Sequence, residues 1–465
     1  MNLKNTLKII LLLLFCCTSM QAQDFPGRTG KVFGRDIKSI NPSNNTIRCV
    51  SSEYEESLQE TDPTRQTESQ FEEWLAPLIE ETKQKMLTQR GANQIITIPV
   101  VVHVIHSGQA ISNSGRNISD ARVLSQITVL NQDFRRAFGT RGYNDNPIGA
   151  DVEIEFCLAK IDPDGNSTTG INRVNLGNTT WSDTNVESIL KPQTQWDPLR
   201  YFNIWVCQFG GDLNGVLGYA QFPSNSGLPG LSGGLADTDG VIIDWRCFGS
   251  NDFSGAGGSY MQGYNKGRTT THEVGHALGL RHIWGDRGNQ QYNIINCTGT
   301  DYCEDTPPAG WDNYDCAQAY DTCISDNYPD MTENYMDYTN DTCLNTFTLD
   351  QKARMITVMN NATRRRQLKT STVCQPPLSN NSFELIQGLN LYPNPATNMV
   401  TLTISDNVLI PDNYTIFNSL GQTIASKQIS NTQDLSINVS NLSVGVYFIK
   451  VTKDNNSKTL KFIKE

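Results

Sequence analysis

Histidine is scarce in this chain: 465 residues carry five. Basic charge is also short, with 37 Lys and Arg against 48 Asp and Glu, a net charge of −11. That balance lacks the positive footprint that nucleic acid calls for, so a nucleic-acid partner is excluded. Long apolar runs are missing. The stretch from Ile9 to Cys17 is too short to cross a bilayer, and no other stretch approaches the required length, so the mature protein is expected to have no transmembrane segment. No Cys-x-x-Cys pair is present, which counts against a structural zinc held by cysteines. No Ser- or Cys-nucleophile arrangement stands out, and the C-terminal region has no aromatic series suited to a sugar platform.

What is there begins with a leader. Lys4 and Lys8 precede the short apolar run and Ala22 ends a small-residue cleavage site, so residues 1–22 read as a signal peptide. Of twelve cysteines, Cys16 and Cys17 lie in that leader and ten remain. An exported chain with that many is expected to use several as disulfides, with a connectivity that sequence alone leaves open. A chain of this length suggests two or three domains. Residues 23–90 read as a propeptide whose Phe71, Leu75, Leu78, Ile79 and Met86 have amphipathic helical spacing. Residues 91–370 read as the main domain, 371–388 as a Pro-, Ser- and Asn-rich linker, and 389–465 as a small all-β domain of short alternating strands.

Three of the five histidines fall within eleven residues, in Thr-His-Glu-Val-Gly-His-Ala-Leu-Gly-Leu-Arg-His. If 268–279 is helical, His272 and His276 project from one face on adjacent turns and reach one metal ion. Gly279 allows a left-handed exit from the helix, which swings His282 back as a third ligand. Three protein ligands with an open fourth position suit a catalytic zinc, and Glu273 stands beside the first ligand as general base for an activated water. Val274, Ala277 and Leu278 are left to pack the helix into the domain. His103 and His106 sit in an apolar run and read as strand residues rather than ligands.

The extended motif, followed by Asn334-Tyr335-Met336-Asp337-Tyr338, resembles the metzincin metallopeptidases with their methionine-containing turn. With Gly285-Asp286, Asp305-Thr306-Pro307 and Cys343 after the turn, it is most similar to the pappalysin family, over about residues 95–360. The resemblance implies an α+β catalytic domain, a mixed twisted sheet plus helices with zinc between two subdomains, and endopeptidase activity on protein and peptide substrates. It implies Met336 as the floor beneath the metal, and Tyr338 as a donor to the oxyanion. It also implies calcium in the acidic stretch Asp301 to Asp315, with Asp301 and Thr306 as ligands; a merely solvated acidic loop is the alternative. The family pattern pairs Cys316 with Cys343 and Cys297 with Cys323, although Cys303 could replace Cys297. Arg48-Cys49 resembles the family's cysteine switch, in which a thiolate occupies the open zinc position; a disulfide at Cys49 is the other reading. Cleavage near Arg90-Gly91 would release the switch, with Arg65 as another site. Some family members prefer Arg or Lys after the scissile bond, and Asp341 is the counterpart of the acid that selects them, though Asn340 and Thr342 depart from the usual run.

Other elements follow from pattern. Strands are expected at 95–106, 152–161, 202–209 and 241–245, and Ser119 or Asp120 should cap a helix with the stripe Val123, Ile127, Leu130 and Phe134. Residues 215–223 resemble the edge strand above the family's cleft, which makes the backbones of Gly218 and Ala220 substrate contacts. Thr348 to Gln351 is a capping box opening the last helix of the domain. In the tail, Leu391-Tyr-Pro-Asn-Pro-Ala396, Gly421 and Gly445-Val-Tyr-Phe-Ile449 resemble the sorting domain of the Bacteroidetes type IX secretion system. That implies the secretion machinery as a partner, a signal peptide to the periplasm, and export across the outer membrane to the cell surface or beyond. A surface adhesin that keeps a metalloprotease fold is the alternative from another functional class.

Overall fold

The computed structural model describes residues 30–88, 95–225, 231–316, 320–324, 328–376, 389–403, 410–453 and 456–465. The leader at 1–22, the Arg90-Gly91 bond and most of the linker lie outside the described residues. The chain divides into two compact units, Met1–Pro377 and Leu378–Glu465.

In the first unit the order is β1 (Lys31–Val32), β2 (Arg35–Asp36), α1 (Ser51–Thr61), α2 (Glu68–Thr88), β3 (Ile96–His106), α3 (Asp120–Phe134), β4 (Ile154–Leu158), β5 (Ile171–Asn175), β6 (Phe202–Cys207), β7 (Gly218–Ala220), β8 (Gly240–Asp244), α4 (Arg268–Ala277) and α5 (Leu349–Asn361). The main sheet runs β4-β3-β6-β8-β7, and β5 pairs with the second half of β3. Its members are parallel except β7, which runs antiparallel to β8 at the edge. β3, β6 and β8 are rich in Val and Ile and buried along almost their whole length, as strands covered on both faces must be. The expected 215–223 strand shrinks to the three residues of β7, because only Gly218, Tyr219 and Ala220 find partners on β8.

One face of the sheet packs on α3 and α4. Val123, Ile127, Leu130 and Phe134 of α3 and Val274 and Ala277 of α4 share one core with alternate residues of β3, β6 and β8. Ser119 caps α3 by accepting from the Arg122 N–H, and Thr348 and Gln351 form the reciprocal capping box of α5. The other face is covered partly by residues of the 30–88 segment: Val32, Ile40, Ile47, Val50, Tyr54 and Leu58 join Trp205, Tyr219 and Ile242 in a second core. α2 lies on α5, with Phe71, Leu75 and Ile79 against Ala353, Val358 and Ala362. The N-terminal segment is thus built into the domain rather than tethered to it.

The second unit is all β. β9 (Asn390–Tyr392), β10 (Met399–Thr403) and β13 (Ser436–Asn438) form one antiparallel sheet, ordered β13-β10-β9. β11 (Asn413–Asn418), β12 (Thr423–Gln428), β14 (Gly445–Lys453) and β15 (Asn456–Lys464) form the other, ordered β12-β11-β14-β15. Both sheets contribute to one core that includes Val400, Leu402, Ile416, Ile437, Ile449 and Phe462. Among the described residues, no helix is long and apolar enough to cross a membrane.

Candidate metal centre

α4 is fully buried and carries His272, Glu273 and His276. The chain leaves it through Leu278 and then Gly279, whose φ of +93° is the left-handed value that only glycine adopts without strain. A Cβ there would also come within 2.8 Å of Val358. The turn returns His282 to the helix. His272 Nδ1 donates to Tyr335 O at 2.7 Å, His276 Nδ1 to Leu280 O at 2.9 Å, and His282 Nδ1 to Asp286 Oδ1 at 2.5 Å.

Each Nδ1 facing an oxygen acceptor carries the ring proton, which leaves each Nε2 with a lone pair. His276 Nε2 is 3.1 Å from His272 Nε2 and 3.0 Å from His282 Nε2. Three lone pairs converging so closely repel unless a cation lies among them. Nitrogen ligands of a tetrahedral zinc stand about 3.3 Å apart, so the set fits that ion closely. Cys49 Sγ lies within 4.8 Å of all three ligand nitrogens. Cys49 is a free thiol, not part of a disulfide.

Glu273 is wholly buried and burial pushes its carboxyl up to about 8. Its Oε2 accepts from Ser51 Oγ at 2.9 Å and lies 3.4 Å from Cys49 Sγ. Gly218 makes room for it, since a Cβ there would stand 3.0 Å from Glu273 Cγ. Beneath the helix Met336 is fully buried, and a Cβ on Gly275 would fall 2.6 Å from its Sδ. The glycine inside the motif is therefore the seat of the methionine. Tyr338 faces the histidines, its ring 4.9 Å from that of His282, and its hydroxyl donates to Cys49 O at 3.3 Å. Burial pushes the phenol well up, so it stays a donor.

The cleft is filled by the chain itself. Ile47 forms a parallel bridge with Val216, and Leu217 N donates to Ile47 O at 2.9 Å. Ala220 N donates to Ser51 Oγ at 2.9 Å. Both hydrogen bonds lie along the edge at which an extended peptide would pair. Arg48 enters a closed pocket: its Nη1 is 3.2 Å from Thr339 O and 3.3 Å from Asp341 Oδ1, and its guanidinium lies 5.1 Å from the Tyr264 ring centre. Asp341 is wholly buried, and its second oxygen accepts from Lys266 N and Arg268 N at the start of α4.

The remaining candidates lie elsewhere. Asp301 and Thr306 are buried, and among the described residues Asp301 Oδ2 and Thr306 Oγ1 have no hydrogen-bond partner beyond each other. Burial pushes Asp301 up to about 7. Other acids of that stretch serve the chain instead. Asp305 accepts from Asp350 N in the first turn of α5, and Asp312 accepts from Gln290 N. Disulfides join Cys297 to Cys323, Cys316 to Cys343 and Cys157 to Cys374, the last a pair that sequence reasoning did not single out; Cys303 is free. His103 is buried in β3, 2.9 Å from Asn203 Oδ1 and stacked on Trp205. Arg65 is buried and paired with Glu55, which does not suit a cleavage site.

Sequence reasoning missed several residues that support the centre. Asp286 was seen only as part of a motif, yet it orients His282; burial would raise it, but the His282 ring beside it, the Lys38 ammonium and the Ser52 hydroxyl hold it well below the usual carboxylate range. Its signal was the i+4 spacing from His282. Arg365 Nε donates to Ala277 O and Arg354 Nε to Gly279 O, so two arginines satisfy carbonyls at the end of the histidine-bearing helix. No local pattern announces those contacts.

A family model described as Pregnancy-associated plasma protein-A matches residues 253–360, and one described as Secretion system C-terminal sorting domain matches 390–465. The extracellular metalloprotease of Arthroderma gypseum is 31% identical over 265 residues, 56% of this chain and 71% of that protein. That of Colletotrichum graminicola is 28% identical over 282 residues, 60% of this chain and 82% of its own. Among solved structures, mirolysin in complex with a compound is 37% identical with a TM-score of 0.50, covering 62% of this chain and 100% of that one. A promirolysin mutant from Tannerella forsythia is 35% identical with a TM-score of 0.51, covering 69% and 97%. Fold and site together define a metalloendopeptidase of metzincin architecture. The chain belongs to the pappalysin family, the peptidases described as Pregnancy-associated plasma protein-A, and its tail is a type IX sorting domain that marks it for export to the cell surface or beyond.

Proposed function

We propose that the protein is a zinc endopeptidase made as a latent precursor, in which residues 23–90 block the site of a catalytic domain spanning 91–370, and 389–465 is a removable sorting tail after the 371–388 linker. The convergence of three Nε2 atoms beside Glu273, with Cys49 at the same point, carries this reading. His272, His276 and His282 would hold the zinc, which when bound polarises the scissile carbonyl and acidifies water. Glu273 takes the water proton on its carboxylate and passes it to the leaving amine. Tyr338 donates its hydroxyl to the oxygen of the tetrahedral intermediate, where negative charge develops. Met336 supports the floor of the site.

Latency follows from the same contacts. Cys49 would supply the fourth ligand in place of water, and Ser51 occupies Glu273. Arg48 against Asp341 supports a preference for Arg or Lys after the scissile bond, because a buried pocket already closes on a guanidinium there. Extended substrate pairs along Gly218 and Ala220 once the segment leaves. Calcium at Asp301 and Thr306 is supported by two buried oxygens with no other partner. Zinc content and casein cleavage, measured for the activated protein and its Glu273→Ala variant, test the core of this reading. Both should bind zinc, and the variant should lose about a hundredfold or more of its rate. Full activity of the variant refutes the base. Zinc binding without cleavage by the parent favours the adhesin reading instead.

A further inference from the structure

Arg48 is not the sole side chain that the N-terminal segment lodges in the domain. One turn into α1, Tyr54 is buried to 2% exposure. Its hydroxyl donates to Glu187 Oε2 and lies 3.3 Å from Thr238 Oγ1 and 3.5 Å from Gln221 Oε1. Its ring lies 5.2 Å from that of Tyr219 and 5.0 Å from the Lys191 ammonium. Phe33, also from the N-terminal segment, closes the near side at 4.8 Å.

The walls do not need Tyr54 to hold them. Glu187 Oε1 accepts from Tyr219 at 2.6 Å and pairs with Lys191 at 2.6 Å, while Thr238 donates to Gln221 at 2.8 Å. When the segment leaves, these contacts stay. What opens is a slot walled by the Tyr219 ring and ending in a carboxylate oxygen that has lost its donor. Leaving such an oxygen unmatched is costly, so the slot selects for a hydroxyl at the far end of a ring. A basic side chain would meet Lys191 and an acidic one Glu187.

The slot flanks the edge strand from the other face of the sheet. Tyr219 sits in β7 between Gly218, beside Glu273, and Ala220, whose N–H the segment occupies through Ser51, so its side chain projects away from Glu273 into the second core, along the same edge at which an extended peptide would pair. Along the segment, Arg48 fills the Asp341 pocket, Cys49 meets the three histidines, and Tyr54 fills this slot. The metal centre therefore comes between the two pockets along the path of the chain.

We infer that the slot formed by Glu187, Lys191, Tyr219, Gln221 and Thr238 is a substrate subsite for a tyrosine in the stretch that precedes the scissile bond. This rests on the reading of the protein as an endopeptidase that takes Arg after that bond. The test uses the activated, secreted enzyme with peptides sharing one Arg, in which Tyr, Phe, Leu and Ala are placed in turn at each of the preceding positions. At one position Tyr should exceed Phe by about tenfold in kcat/KM, and Glu187→Gln should bring that ratio close to one. Equal rates for Tyr and Phe at every position overturn the subsite, as does a ratio unchanged by Glu187→Gln. If the bonds cut are not followed by Arg, the Asp341 reading fails, and a tyrosine scan around those bonds still decides this one. Should Glu187→Gln not be secreted, Tyr54→Phe in the full chain replaces it. The cleaved segment should then dissociate about tenfold faster, and an unchanged rate overturns the proposal.

Discussion

Replacing Glu72 by Ala isolates the grip of α2 on the catalytic domain. Arg354 is fully buried and donates through Nη1 and Nη2 to the two oxygens of Glu72, at 2.7 and 2.5 Å, while its Nε holds Gly279 O at 2.6 Å. Docking of α2 therefore buries a cation and its anion together. In Glu72→Ala it buries the guanidinium alone, a loss of about 3–5 kcal/mol for a broken buried pair. The Glu72 side chain keeps 11% exposure, so water reaches part of the vacated space and the lower end applies. About 3 kcal/mol corresponds to roughly a hundredfold weaker hold of the cleaved segment. Phe71, Leu75 and Ile79 still pack on α5, so docking is weakened rather than abolished. The activated enzyme is identical in parent and variant once residue 72 has been removed, so mature stability and activity serve as internal controls. Inhibition of activated enzyme by the released segment is the assay. An inhibition constant within about twofold of the parent refutes the argument that this pair anchors the segment.

Cys49→Ser should give a precursor that cleaves peptides before any processing, because a hydroxyl is a far poorer zinc ligand than a thiolate; a precursor as silent as the parent counts against the switch. Asp341→Ala should cut the rate for Arg after the scissile bond at least tenfold relative to Leu while zinc content holds, and an unaltered Arg-to-Leu ratio removes Asp341 from specificity. Gly275→Ala should lower stability by about 1–3 kcal/mol despite the better helix propensity of Ala, because the new Cβ falls 2.6 Å from Met336 Sδ; a rise in Tm refutes the seat. Asp239 is buried between Arg364 and Arg365; burial would raise it, but the two guanidiniums hold it down to about 2. A depressed carboxyl adds stability above its unfolded value near 3.8 that is lost as pH falls through about 2. Asp239→Asn should therefore destabilise the protein at neutral pH and flatten its acid unfolding over that window, as followed by circular dichroism.

Much of the fold was legible because local chemistry and tertiary packing agree. β3, β6 and β8 are apolar runs that a doubly covered sheet must bury, and Ser119 and Thr348 cap their helices through neighbours three residues on. β7 was read too long, since pairing rather than propensity ends an edge strand. β5 escaped notice because its residues are half-buried and do not alternate cleanly. The disulfide between Cys157 and Cys374 spans 217 residues, a proximity that no spacing rule supplies.

By itself the sequence determined the class of chemistry. Two histidines four apart, a glutamate beside the first and a glycine before the third constrain each other through helix geometry, which is local and repeats wherever the pattern occurs. The tertiary structure decided what surrounds them. It aims three Nε2 atoms at one point by engaging Tyr335 O, Leu280 O and Asp286 behind the rings. It also threads Ile47 to Tyr54 through the cleft, so that Arg48, Cys49, Ser51 and Tyr54 each fill a place in the domain. The contacts of the threaded segment join residues more than a hundred positions apart. Only packing brings such residues together, because no backbone periodicity extends that far.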